Sequence, residues 1–127
     1  MSWRVLVDTS VWVGHFRERS AALVQLLQMD AVLGHPMVLG ELACGTPPQR
    51  ERTLGDLALL AQARQATLAE VLALVERERL YGVGCGLIDL SLLASTRITP
   101  GATLWTLDKR LSDLAQRFGV LHQRRVY

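Results

Sequence analysis

The sequence is poor in cysteine: Cys44 and Cys85 are its only two, and neither has a CxxC partner or a close histidine. This argues against a disulfide scaffold and a zinc site, so both are expected to be small buried side chains in a reducing cytosol. Long apolar runs are also missing, and the uncharged stretch over 31–40 is broken by glycine and proline. No basic-then-apolar leader opens the chain. We therefore expect a cytoplasmic protein that does not enter a membrane.

Lysine is almost absent, since Lys109 is the only lysine among fourteen basic residues and the rest are arginine. The forked guanidinium of arginine suits phosphates and carboxylates, but a biased genomic composition explains the preference equally well. The net charge of +2 alone does little to favour a nucleic-acid partner. Solvated charge is the default for the basic residues near the expected active edge or the termini, although they could contact a phosphate backbone. They are Arg17, Arg19, Lys109, Arg110, Arg124 and Arg125.

What the chain does contain is typical of one globular domain over residues 1–127: half of its residues are hydrophobic and a fifth are charged. Buried strands are predicted at 4–7, 31–34, 102–106 and 120–122. Helices are predicted at 10–17, 20–29, 36–45, 52–64, 67–79, 87–96 and 109–118. Strands that alternate with helices favour an α/β fold. We expect a three-layer α/β/α domain with a small parallel sheet of about four or five strands.

Acidic residues occur at chemically suggestive places in this pattern. Asp8 directly follows the first strand, and Asp108 lies two residues past the strand ATLWT, so both are expected at the carboxyl edge of the sheet. Asp89 follows the glycine-rich loop YGVGCG at the start of a helix. Each aspartate could instead simply cap a helix, and this alternative stays open. Glu41 lies in an apolar helical segment without an (i, i+4) basic partner, which predicts an acid that is partly buried with a partner or lines a cavity.

If these acids converge, their mutual repulsion in a cleft of low dielectric requires a cation to neutralise it. Oxygen ligands without cysteine or histidine point to a hard divalent ion, Mg²⁺ or Mn²⁺. Such sites usually act on phosphates, which supply further oxygen ligands to the metal.

The order and spacing of these motifs resemble a known family. A buried strand followed by DTSVW, an isolated helical Glu41, Asp89 in GLIDLSLLAS and Asp108 in LWTLDKRL resemble the PIN-domain ribonucleases. More narrowly, they resemble the VapC-type toxins of type II toxin–antitoxin pairs. The likeness covers nearly the whole chain, although 46–80 matches nothing specific. Leu90 and Ser91 stand where the family often has alanine and small residues, which puts the substrate preference in doubt.

The resemblance implies that Asp8, Glu41, Asp89 and Asp108 form a catalytic acidic pocket for one or two Mg²⁺ or Mn²⁺ ions, with Asp8, Asp89 and Asp108 as metal ligands. Ser10 and Thr106 would orient the carboxylates or a water molecule. The implied activity is cleavage of RNA to 5′-phosphate products. The implied partners are an RNA substrate, a cognate antitoxin protein that blocks the cleft, and a second copy of the chain. The apolar helices at 52–64 and 87–96 are candidates for that homodimer contact.

Two other functions stay open. One is a non-catalytic PIN-like scaffold that binds RNA or protein, against which the complete set of four acids argues. The other is phosphoryl transfer through an aspartyl phosphate at Asp8, a chemistry that typically needs a second aspartate where Ser10 stands. A nucleotide-binding loop at YGVGCG is disfavoured because the Gly-Lys-Ser/Thr ending is missing.

Overall fold

Strands and helices alternate along the chain in the computed structural model, which describes residues 3–123. The elements are β1 (Arg4–Val7), α1 (Thr9–Arg17), α2 (Ala21–Gln28), β2 (Val32–Leu33), α3 (Pro36–Ala43), α4 (Arg50–Ala58), α5 (Leu68–Glu78), α6 (Leu87–Ile98), β3 (Ala102–Trp105) and α7 (Lys109–Arg117). In this part of the chain, no helix combines the length and apolar character needed to cross a bilayer.

The central strand is β1, which lies in a parallel sheet of order β2-β1-β3. Its register pairs Val5 with Val32 on one side and Leu6 with Leu104 on the other. Val5, Leu6 and Val7 are completely buried, although successive side chains of a strand point to opposite faces. Both faces are therefore covered by helices, which confirms the predicted α/β class with a small parallel sheet.

Single-residue bridges extend the sheet at both edges. Gly34 forms a parallel bridge with Gln62, and Leu104 forms one with Leu121. Over residues 3–123 the sheet thus has three strands and two isolated bridges, where we expected about four or five strands. The strand predicted over 120–122 is reduced to the bridge at Leu121.

The helix predicted over 52–64 is wrong at its C-terminal end, because α4 stops at Ala58. The N–H of Gly34 donates to the carbonyl oxygen of Ala61 (2.8 Å), and the N–H of Ala63 donates to the carbonyl oxygen of Gly34 (3.0 Å). These bonds hold the segment along the sheet edge. Long-range backbone pairing therefore overrides the helical preference of a sequence rich in leucine and alanine.

Two helices begin as the sequence predicts. At α5 the hydroxyl of Thr67 accepts from the N–H of Glu70 (3.1 Å), and Glu70 Oε1 accepts from the N–H of Thr67 (2.9 Å). These hydrogen bonds lower the pKa of Glu70. At α3, Pro36 occupies the first turn, where its missing N–H has no intrahelical partner to lose.

The predicted burial of the cysteines is wrong. Cys44 is exposed just past the end of α3, and Cys85 is half-buried in the loop before α6. Both are free thiols.

The buried helix α6 positions one of the acids. All side chains over 90–96 are buried, and the helix packs against α5, α7 and β3. Residues 90–96, part of the helix expected to contribute to a dimer, are covered within one copy of the chain, whereas Leu87 is exposed; the dimer contact stays a prediction. Asp89 lies in the first turn of α6, where the helix emerges from the interior.

Candidate active site

Asp8 is the most constrained acid at the carboxyl edge of the sheet. Its N–H donates to the carbonyl oxygen of Trp105 (2.9 Å), which fixes the residue to the end of β3. The buried carboxylate accepts three hydrogen bonds. Oδ1 accepts from the N–H of Thr9 (2.7 Å), and Oδ2 accepts from the hydroxyls of Ser10 and Thr106 (2.7 Å each). These donors hold the carboxylate in one orientation.

Thr106 connects two of the acids. Its hydroxyl donates to Asp8 and accepts from the N–H of Asp108 (3.0 Å). The Ser10 hydroxyl lies 3.4 Å from that of Thr106 and accepts from the N–H of Leu107 (3.0 Å). The two hydroxyl side chains therefore contact the carboxylate that they are predicted to orient.

Asp108 and Asp89 lie at the N-termini of α7 and α6. Asp108 is exposed, and its Oδ1 accepts from the N–H of Leu111 (3.0 Å) as the cap of α7. Asp89 is half-buried, and its Oδ2 accepts from the N–H of Gly86 (3.4 Å). The capping roles left open by the sequence are thus present. Each role uses one carboxylate oxygen, so capping does not prevent a second function of the same side chain.

Glu41 differs from its prediction. It is exposed on α3, not partly buried, because the neighbouring Leu42 takes the inward face of the helix. It does have a partner: the hydroxyl of Thr9 donates to Glu41 Oε1 at 2.6 Å. Thr9 lies between Asp8 and Ser10 in the DTS motif. Thr9 connects α3 to the start of α1 beside Asp8.

The other three acids all influence the pKa of Asp89. Partial burial raises the pKa of Asp89, and the hydrogen bond from Gly86 opposes this rise. The negative charges of Asp8, Asp108 and Glu41 raise the pKa further. We call Asp8, Glu41, Asp89 and Asp108 the acidic cluster. None of its members forms an ion pair with a basic residue in the described part of the chain.

The acidic cluster has the donor chemistry of a hard cation site. All its donors are oxygens, and three acids each keep one oxygen without a hydrogen bond from any residue over 3–123: Oε2 of Glu41, Oδ1 of Asp89 and Oδ2 of Asp108. However, no three His, Cys, Asp or Glu side chains in that range are close enough to form a ready-made metal site. The charge and donor set therefore fit Mg²⁺ or Mn²⁺, and binding would require side-chain adjustment.

The basic residues named as possible phosphate contacts have different environments. Lys109 pairs with Asp113 on the surface of α7 (3.4 Å). Arg17 and Arg19 are exposed around the end of α1 and form no ion pair within residues 3–123. Arg110 lies against the glycine-rich loop. Arg124 and Arg125 lie outside the described residues.

Cys85 adjoins the acidic cluster, which the sequence did not indicate. Burial raises the pKa of its thiol, and the charges of Asp89 and Asp108 raise it further. The positive charge of Arg110 acts in the opposite direction. The glycine-rich loop, two acids and one arginine are therefore neighbours in space.

A parallel α/β sheet with acids collected at its carboxyl edge is the arrangement expected of a PIN domain. The PIN domain family model matches residues 5–117, and the chain belongs to this family.

More particularly, the chain is 48% identical over 116 residues to Ribonuclease VapC32 of Mycobacterium tuberculosis, which was matched in two strains. The alignment covers 91% of this chain and 94% of the relative. The predicted VapC-like character is thereby confirmed. The fold is also similar to the solved structure of VapBC-1 from nontypeable Haemophilus influenzae, with a TM-score of 0.65 over 92% of this chain and 93% of that chain. At 14% identity, this second likeness concerns the fold alone.

Proposed function

We propose that the protein is a metal-dependent endoribonuclease and the toxic component of a type II toxin–antitoxin pair. It would hydrolyse RNA phosphodiester bonds at the acidic cluster. The observation that carries this proposal is an Asp8 held by three donors at one edge of the sheet, within an acidic cluster that has no ion-pair partner over residues 3–123 and whose other three members raise the pKa of Asp89. The 48% identity to a ribonuclease of the VapC type supports the same activity.

Each residue of the site would have a distinct role. Asp8, Asp89 and Asp108 would bind the metal, and Ser10 and Thr106 would keep Asp8 in its ligating orientation. Glu41 would complete the catalytic set of acids, with Thr9 fixing the direction of its carboxylate. A bound Mg²⁺ or Mn²⁺ ion would activate water and neutralise charge that develops on the phosphate. Because Asp89 holds its proton more tightly than an ordinary aspartate, metal affinity should fall as pH falls.

The proposed partners follow from the likeness to VapC-type proteins. They are an RNA substrate, a cognate antitoxin protein that covers the acidic cluster, and a second copy of the chain. The exposed Leu59, just past the end of α4, is an apolar group that a partner could cover. From α6, the exposed Leu87 in the first turn and the exposed Ile98 in the last turn are available for such a contact.

The activity is tested by incubating the purified protein with structured RNA and Mn²⁺, with and without EDTA. Asp8→Asn should lower the cleavage rate by about a hundredfold or more, because the amide cannot replace a charged oxygen ligand. Asp113→Asn is the matched control, since it removes an exposed acid on α7 outside the acidic cluster. It should cleave at the wild-type rate.

Each competing function predicts a different outcome. A non-catalytic scaffold would bind RNA but produce no EDTA-sensitive fragments. An aspartyl-phosphate enzyme would carry a hydroxylamine-labile label on Asp8. Cleavage by Asp8→Asn at the wild-type rate would refute the assignment of the site.

A further inference from the structure

The glycine-rich loop provides a flat backbone surface for one arginine. Gly84 has a φ of +84°, a conformation that favours glycine. A Cβ built on Gly84 would lie 2.6 Å from Cδ and 2.8 Å from Cζ of Arg110. The guanidinium therefore lies directly on the Gly84 backbone, where any side chain would displace it.

The same loop holds a member of the acidic cluster. The N–H of Gly86 donates to the carboxylate of Asp89. Cys85 lies between Gly84 and Gly86, and the charges of Asp89, Asp108 and Arg110 act on the pKa of its thiol. Arg110 is nevertheless exposed and forms no ion pair or hydrogen bond with any residue over 3–123. It is thus a cation beside the acidic cluster, and no residue over 3–123 uses the N–H donors of its guanidinium.

The helix dipole does not account for this placement. Lys109 and Arg110 are the first residues of α7, and the first turn contains no acidic residue. A cation at a helix N-terminus is disfavoured by the helix dipole. Lys109 is balanced by Asp113, whereas Arg110 has no such partner among the described residues. An unpaired, oriented guanidinium at this place suits a forked anion such as a phosphate.

We propose that Arg110 binds a backbone phosphate of the RNA beside the acidic cluster and that Gly84 is the platform that fixes its guanidinium. This inference rests on the proposed RNA-directed function. Phosphate binding by a positioned arginine would bring the RNA backbone to the acids despite their repulsion.

The direct test is RNA binding in EDTA, which does not require the metal. Fluorescence anisotropy of a labelled single-stranded RNA of about 20 nucleotides is measured over about 20 to 150 mM KCl. Arg110→Ala should weaken binding about tenfold at low salt and reduce the slope of log Kd against log salt by about 0.7, the loss of one phosphate contact. Arg110→Lys should recover part of the affinity and part of the salt slope, because lysine restores the positive charge but not the forked donor geometry of the guanidinium. Arg117→Ala, at the opposite end of α7, should keep the wild-type slope.

A pair of glycine substitutions separates the position of the guanidinium from its charge. Gly84→Ala leaves Arg110 in the chain but displaces it from the loop. Gly82→Ala is the matched control, since Gly82 also has a positive φ (+69°) but has no atom within 4 Å of an added Cβ. Gly84→Ala should weaken RNA binding nearly as much as Arg110→Ala, and Gly82→Ala should not.

The outcomes distinguish this inference from the proposed function. Wild-type affinity and salt slope in Arg110→Ala, with cleavage by the wild-type protein intact, would overturn the inference and leave the nuclease proposal standing. A large drop in Tm of Arg110→Ala with an unchanged slope would reveal a merely structural role and would also overturn it. If the wild-type protein neither binds nor cleaves RNA, both proposals fail together.

Discussion

At the scale of single residues, the hydroxyl of Thr106 is the connection on which Asp8 most depends. Thr106→Val removes a donor to Asp8 and leaves the N–H of Asp108 without its acceptor. We expect a loss of about 1–3 kcal/mol in the free energy of unfolding and about a 10- to 100-fold loss of RNA cleavage. Thr106→Ser keeps the hydroxyl and should retain most of both. Urea unfolding and a cleavage assay measure the two effects, and a fully active Thr106→Val would rule out the orienting role.

The raised pKa of Asp89 leads to a second prediction at the scale of single residues. A folded-state pKa above the usual value means that stability falls as pH rises from the ordinary aspartate range through the raised pKa. The ionised side chain therefore lowers the stability of the metal-free protein at neutral pH. Asp89→Asn should raise the free energy of unfolding by up to about 1 kcal/mol, a small gain because solvent screens a half-exposed group.

Urea unfolding in EDTA at about pH 7 measures this gain. Asp113→Asn is the control, since it loses only an exposed ion pair with Lys109. A less stable Asp89→Asn would mean that burial and the charges of the neighbouring acids do not dominate the contribution of Asp89 to stability.

At the scale of elements, His35 joins three segments and makes α3 sensitive to acid. Its Nδ1 accepts from the N–H of Met37 (3.0 Å), so Nε2 carries the proton and donates to the hydroxyl of Ser95 in α6 (3.0 Å). That hydroxyl also accepts from the N–H of Ala66 (3.1 Å). Burial lowers the pKa of His35. Protonation of Nδ1 would place two N–H groups against each other.

The sign of the pH dependence follows from this shift. The unfolded chain takes up the proton first, so the contribution of neutral His35 is complete above about pH 6.5 and is lost as pH falls below that value. The free energy of unfolding should fall towards pH 5 by at most about 1.4 kcal/mol per pH unit from this group. His35→Gln should flatten the pH profile, because it removes the group whose pKa burial lowers. Parallel profiles for wild type and His35→Gln would contradict the assignment.

Prediction from sequence succeeded where local signals decide the structure. Alternating apolar segments predicted the parallel sheet, and the Thr67–Glu70 capping box predicted the start of α5. The helix prediction fails over 59–64 because Gln62 pairs with Gly34, a long-range contact that composition does not encode. The strand at 120–122 is reduced to the bridge at Leu121, since Val120 and His122 both hydrogen-bond to the same residue of β3, Leu104.

At the scale of the whole molecule, the parallel sheet brings distant parts of the chain to one edge. The alternation of strands and helices predicted a parallel sheet, and each acid follows a strand, so Asp8 and Asp108 were expected to share this edge. The exposure of Glu41 and its bond with Thr9 depend on how α3 packs against α1, which no local pattern encodes. The contact of Arg110 with Gly84 could not be predicted from local sequence either, since it requires both a loop residue with a positive φ and the approach of α7.

The central claim, that the acidic cluster binds a hard cation through Asp8, Asp89 and Asp108, is tested most directly by titrating the protein with Mn²⁺ in a calorimeter. Asp8→Asn, Asp89→Asn and Asp108→Asn should each weaken Mn²⁺ binding about tenfold or more, and Asp113→Asn should bind like the wild-type protein. Equal Mn²⁺ affinity in all four variants and the wild-type protein, or no binding by any of them, would contradict the account.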